Sequence, residues 1–154
     1  MRYLWLMFPL LAAGCAGKSD NQLKEEARQA VIAKMAVFND RAPCEQVMDK
    51  KELTFGADAG KMAMKLCGGI FDWEKPVVLT EVKIYRGKTA TVCGVASGTS
   101  RAGGRLGTWF VWHPGPVAAV NLKPVYPPIG SDKMRDAYHA LNTIYDDAEK
   151  QHCH

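Results

Sequence analysis

The sequence predicts an α+β domain in which an antiparallel meander of three to four strands is packed by an N-terminal and a C-terminal amphipathic helix and closed by disulfides. Three observations carry this prediction. Apolar residues recur at three- and four-residue spacing near both ends of the chain. The period changes to two between Val78 and Leu122. Four cysteines, Cys44, Cys67, Cys93 and Cys153, lie within the region so patterned.

The elements follow in chain order. Met1 and Arg2 supply a positive start, Tyr3 to Leu11 is an apolar run, and small residues follow at once. This is the pattern of an export signal, and the run is about half the roughly 20 apolar residues that a spanning helix needs. The small residues run into a cysteine, Leu11-Ala12-Ala13-Gly14-Cys15. That stretch resembles the bacterial lipoprotein signal, whose lipobox reads Leu-Ala/Ser-Gly/Ala-Cys. It departs from it in having Ala12 three residues before the cysteine.

The resemblance implies cleavage after residue 14, lipidation of Cys15, and a mature chain of about 140 residues, the size of one domain. The other reading is an ordinary secretory signal cut nearby, with Cys15 a free or paired thiol. Each buried acyl methylene contributes about 0.8 kcal/mol, and stable anchoring takes more than one chain, which a multiply acylated cysteine supplies. Ala16 is not the Asp that the resemblance associates with inner-membrane retention, so the implied location is the outer membrane, facing the periplasm. Residues 1–14 are then the signal, 15–19 a short tether, and 20–154 a single domain.

Removing Cys15 leaves four cysteines in an oxidising compartment, for which two disulfides are expected. Four cysteines allow three connectivities. Packing of the two terminal helices against each other would favour Cys44 with Cys153 and leave Cys67 for Cys93.

From Ser19 to Phe38, Leu23, Ala27, Ala30, Val31, Met35 and Phe38 form one apolar stripe, with Ser19 or Asp20 as cap and Pro43 beyond the end. Its start lies so close to Cys15 that, at about 3.5 Å per extended residue, the tether reaches less than about 20 Å. Asp58 to Cys67 reads as a short helix ended by Gly68-Gly69. Its Met62 and Met64 suit core filling better than a soft-metal site. Val78, Val82 and Ile84 then alternate with Glu81 and Lys83, Arg86-Gly87-Lys88 makes a turn, and Thr89 to Ser97 returns as a second strand. Thr108 to His113 is a third strand and Val117 to Leu122 a fourth. A proline-rich connector, Lys123 to Gly130, leads to a helix capped by Ser131 or Asp132. Its apolar stripe is Met134, Ala137, Tyr138, Leu141, Ile144, Tyr145 and Ala148.

The stretch Val92-Cys93-Gly94, eight residues, then Gly103-Gly104-Arg105-Leu106-Gly107 and the aromatic Trp109-Phe110 resembles a pattern in small bacterial and phage lipoproteins of unknown function. In those relatives the eight residues often begin Glu-Val-Asn. Here they begin Val95-Ala96-Ser97, so a role tied to that Glu or Asn does not carry over. The resemblance implies a small α+β fold in a lipoprotein context and no activity. Physically, Gly103, Gly104 and Gly107 allow positive φ and close backbone approach between two strands. A phosphate loop would need a helix to follow, and a strand-like segment follows instead.

Formal charge is +4 and falls to +3 when Arg2 leaves, with both signs intermixed, which argues against nucleic acid as a partner. No catalytic motif is present, so the reading is non-enzymatic, with no cofactor and no metal. His113 at a strand end lacks a partner nucleophile other than Cys93, which a disulfide would consume. His152-Cys153-His154 puts consecutive residues at a chain end, whereas zinc ligands come from spaced elements. His139 reads as solvated, and Asp146-Asp147 cannot face one another on a helix.

What remains is recognition. Arg101, Arg105 and Trp109 combine the residue types of an interface hot spot, and they are the expected contact set for another protein. That partner would be an effector, a wall hydrolase or an envelope component, met by a module of the immunity, inhibitor, exclusion or assembly kind. The alternative is an envelope hydrolase or metal-handling lipoprotein using His113 or the C-terminal His-Cys-His.

Overall fold

The structure is a computed structural model describing residues 17–38, 44, 67–72, 74–114, 119–124 and 132–154. Cys15 and the signal, the helix expected before Cys67, and most of the Pro-rich connector lie outside the described residues. Helix α1 spans Asp20–Phe38, strands β1 to β4 span Val78–Arg86, Ala90–Thr99, Arg105–His113 and Ala119–Leu122, and helix α2 spans Asp132–His152. The strands form one antiparallel sheet in chain order, β1-β2-β3-β4, as the meander pattern predicts.

Helix α1 begins with a capping box. The Gln22 backbone N–H donates to Ser19 Oγ at 3.3 Å, and the Ser19 N–H donates to Gln22 Oε1 at 3.0 Å. Leu23, Ala27, Val31 and Met35 are all buried, and they lie on the sheet face formed by Val92, Ala96, Leu106, Phe110, Trp112 and Val120. Full burial of a Leu, Val or Met stabilises by about 1.5–3 kcal/mol, so this stripe fixes the helix on the sheet. An ion pair between Asp20 and Arg86 ties the start of α1 to the end of β1.

Helix α2 covers part of the other face. Its Tyr145 is buried against Cys93 and Val111, with Tyr85, Ala148 and Cys153 around it. The two terminal helices thus serve opposite faces of the sheet, and this corrects the expected disulfide pairing. The bridges are Cys44–Cys67 and Cys93–Cys153, not Cys44–Cys153 and Cys67–Cys93. Cys93 faces α2, and Cys67 is buried with Cys44.

Two further expectations change. Of the α2 stripe, Tyr145 is buried, but Leu141 and Ile144 are 41% and 53% exposed. They border a groove of about 400 Å³ with Met35, Phe71 and Val120. The β2–β3 connection is a tight hairpin, shorter than the gap from Ser97 to Thr108 that the strand patterns leave. Ser100 N–H donates to Gly104 O at 2.7 Å, Gly103 N–H donates to Ser100 O at 2.8 Å, and Gly103 takes φ +85°. Of the three glycines expected to serve by positive φ or close approach, Gly103 alone adopts positive φ, and Gly107 lies within β3. The close approach occurs at Gly94. A Cβ there would stand 2.9 Å from Thr80 O and 3.2 Å from Val82 Cα.

Gly94 faces a β-bulge in β1. The β1–β2 register shifts between Thr80 and Lys83, and Glu81 adopts φ 53°. A left-handed glutamate costs on the order of 1–3 kcal/mol, and the surrounding ladder must hold it. Because side chains alternate with period two, one inserted residue exchanges faces. Ile84 opposite Val92 points to α1, whereas Val78 opposite Ser97 points to the outer face.

Candidate functional site

The outer face has two halves. Toward the end where β2 begins, α2 covers Cys93 and Val111. Toward the β2–β3 hairpin the face is open, and the ladder sets its rows. Thr80, Val95 and Trp109 lie side by side, then Val78, Ser97 and Gly107, then Thr99 and Arg105.

Trp109 is 44% exposed and Val78 54%, which are large values for apolar residues on a strand. Small and hydroxylic neighbours surround them. The Thr80 hydroxyl lies 3.4 Å from Ser97 Oγ, and Gly107 leaves the β3 side low between Arg105 and Trp109. Arg105 is exposed at its rim. Where the open half meets α2, a hollow of about 590 Å³ is bordered by Trp109, Glu81, Lys83 and Tyr145. Burial, reinforced by Glu149 and Asp146, pushes the Tyr145 hydroxyl well above its ordinary range. It therefore remains a donor, to Glu149 Oε1 at 3.3 Å.

The expected contact set divides. Arg105 and Trp109 share the open face, but Arg101 does not join them. Its side chain is 16% exposed and lies 3.4 Å from Asp72, while its backbone N–H donates to Ile70 O at 2.8 Å. Arg101 braces the hairpin against the segment that includes Phe71, which itself bridges to Ser100. Val78 takes its place in the patch. Only the bulge brings Val78 there, and strict alternation in the sequence gives no sign of it.

The other end of the molecule gathers the histidines. His113 and His152 have ring centroids 5.3 Å apart. With His154, Arg86 and Lys88 they line a cavity of about 640 Å³. Cys153 between the two terminal histidines is bonded to Cys93, so neither thiol is available to His113 or to a metal. Among the described residues no group of three His, Cys, Asp or Glu side chains is arranged to hold a metal ion. His139 is exposed on α2, and Asp146 meets Lys123 Nζ at 3.5 Å. Among the described residues no helix is long and apolar enough to cross a membrane. No protein-family model matches the chain, and neither a curated protein nor a solved structure matches it.

Proposed function

We propose that this chain is a lipid-anchored, non-enzymatic binding module of the cell envelope, tethered through Cys15 to the outer membrane and facing the periplasm, which grips another protein with the open half of its outer sheet face. The observation that carries the reading is the pair of exposed apolar side chains, Trp109 and Val78, on a rigid strand surface beside Arg105. Aromatic and arginine anchors dominate binding energy where a partner can desolvate them. Two closed disulfides support an oxidising compartment. The partner class is an effector, a wall hydrolase or an envelope component.

The anchor is tested by metabolic palmitate labelling. Wild-type protein is expected to take up label and to leave membranes only with detergent, and Cys15→Ser to take up none. An unlabelled wild type that washes off with salt would overturn the anchor. The contact face is tested by recovery of the partner on Trp109→Ala. A true anchor contributes 2 kcal/mol or more, so affinity should fall about thirtyfold. The thermal midpoint should stay nearly unchanged, because the indole is almost half exposed. Partner recovery equal to wild type would remove this face from consideration.

A further inference from the structure

The cavity lined by Arg86, Lys88, His113, His152 and His154 lies at the end of the molecule from which the tether leaves. Arg86 fixes that relation. Its guanidinium pairs with Asp20 in the first turn of α1 and donates to Lys18 O at 3.3 Å, while the same side chain lines the cavity. Lys18 is three residues beyond Cys15 in the sequence, so the cavity adjoins the end of the tether that joins the domain.

Its lining is basic, although the Arg86 guanidinium is already paired with Asp20, which leaves Lys88 and the imidazoles to meet a ligand. Arg86 and Lys88 come from the β1–β2 turn, His113 from the end of β3, and His152 and His154 from the C-terminus, with Thr89 and Thr91 hydroxyls between them. No Asp or Glu side chain is among the described residues that line it. Three of the chain's four histidines meet there, drawn from two places far apart in the sequence. The Cys93–Cys153 bridge holds the terminal pair in position, so the C-terminus is pinned. Lysine, arginine and imidazole N–H groups around hydroxyls suit a phosphate, whose oxygens accept several hydrogen bonds at once. A cation would meet the charge of Lys88.

We infer that this cavity binds the phosphate of an anionic lipid headgroup in the membrane to which the chain is tethered. The bilayer is the source the geometry favours, because a tether shorter than about 20 Å keeps this end within reach of the surface. Headgroup binding would orient the domain, turning the β1–β2 turn toward the membrane. The inference rests on the Cys15 anchor for its choice of source, though not for the chemistry of the cavity.

The test is chemical labelling of the full wild-type chain on phosphatidylcholine vesicles with and without phosphatidylglycerol, with a third sample on phosphatidylcholine alone plus inorganic phosphate. Diethyl pyrocarbonate reports His152, an acetylating reagent reports Lys88, and His139 is the internal control. Phosphatidylglycerol is expected to slow labelling of His152 and Lys88 at least tenfold without slowing His139. Lys88→Gln, an exposed turn position, is expected to lose the protection of His152 while keeping its thermal midpoint. Protection by inorganic phosphate but not by phosphatidylglycerol would overturn the lipid source in favour of a soluble anion. No protection in either sample would overturn the site. Flotation with phosphatidylcholine vesicles reads the anchor separately. If the chain does not float, labelling with phosphatidylglycerol vesicles added from outside still reads the cavity.

Discussion

Gly94→Ala is expected to destabilise the domain by about 3 kcal/mol or more, the upper end of the range for forcing atoms into a packed site. The added methyl would stand 2.9 Å from a backbone oxygen of Thr80, 3.2 Å from Val82 Cα and 3.3 Å from the Phe110 ring. Two of these are backbone atoms of the bulge, which has no flexible end to withdraw. The methyl would push β1 away from β2 where Glu81 already holds a left-handed conformation. Gly107→Ala is the control. Its methyl meets Val95 Cγ1 at 3.5 Å, ordinary van der Waals contact, so stability should change little. Thermal denaturation of the two variants checks this, and equal midpoints would mean that the bulge does not press on Gly94.

Replacing Cys93 and Cys153 together by alanine is the second large effect. The bridge spans 60 residues, for which the loop-entropy model gives about 4 kcal/mol. Removal of Cys44–Cys67, spanning 23 residues, is worth about 3 kcal/mol on the same model. The two losses differ more in place than in size. Without Cys93–Cys153, the apolar hold on the C-terminal end of α2 rests on Tyr145 and Ala148, with the exposed Lys123–Asp146 pair and the His113–His152 ring contact beside them. Amide exchange in its last turn should quicken, while α1 keeps its protection up to global unfolding. Exchange that accelerates equally in both helices would mean that α2 is not separately pinned. The same variant frees His152 and His154, so it should also weaken phosphate contact at the basic cavity.

Much of the fold is written locally. Ser19 and Gln22 have the spacing of a capping box, the α1 stripe repeats every four residues from Leu23 to Met35, and all four strands sit where the period changes to two. These features depend on residues close in sequence. The motif Val92-Cys93-Gly94 is legible only in retrospect, as three jobs at consecutive positions. Val92 fills the inner core, Cys93 bonds the C-terminus on the outer face, and Gly94 makes room for the bulge.

What the sequence hides is set by distant partners. Val78, Val82 and Ile84 read as one face, and the bulge at Glu81 separates Val78 from the others. Arg101 reads as free because nothing nearby in sequence identifies Asp72 as its partner. The α2 stripe reads as core throughout, yet the helix meets the sheet mainly along its last turns, where Cys153 pulls it down. The terminal histidines read as a frayed end until the bridge to Cys93 brings them to His113.

A photocrosslinking side chain at position 107 decides whether the open half of the outer face is the contact surface. The position is exposed, shares a ladder row with Val78 across Ser97, precedes Trp109 by two residues on β3, and accepts a Cβ without a close contact. A matching probe at Ala33, exposed on α1, reports the opposite side of the molecule. In the native host, one dominant protein adduct is expected from position 107 and none from position 33. That adduct should disappear when Trp109→Ala is added. An adduct from position 33 with none from position 107 would rule out the open sheet face and move the binding surface to the helices.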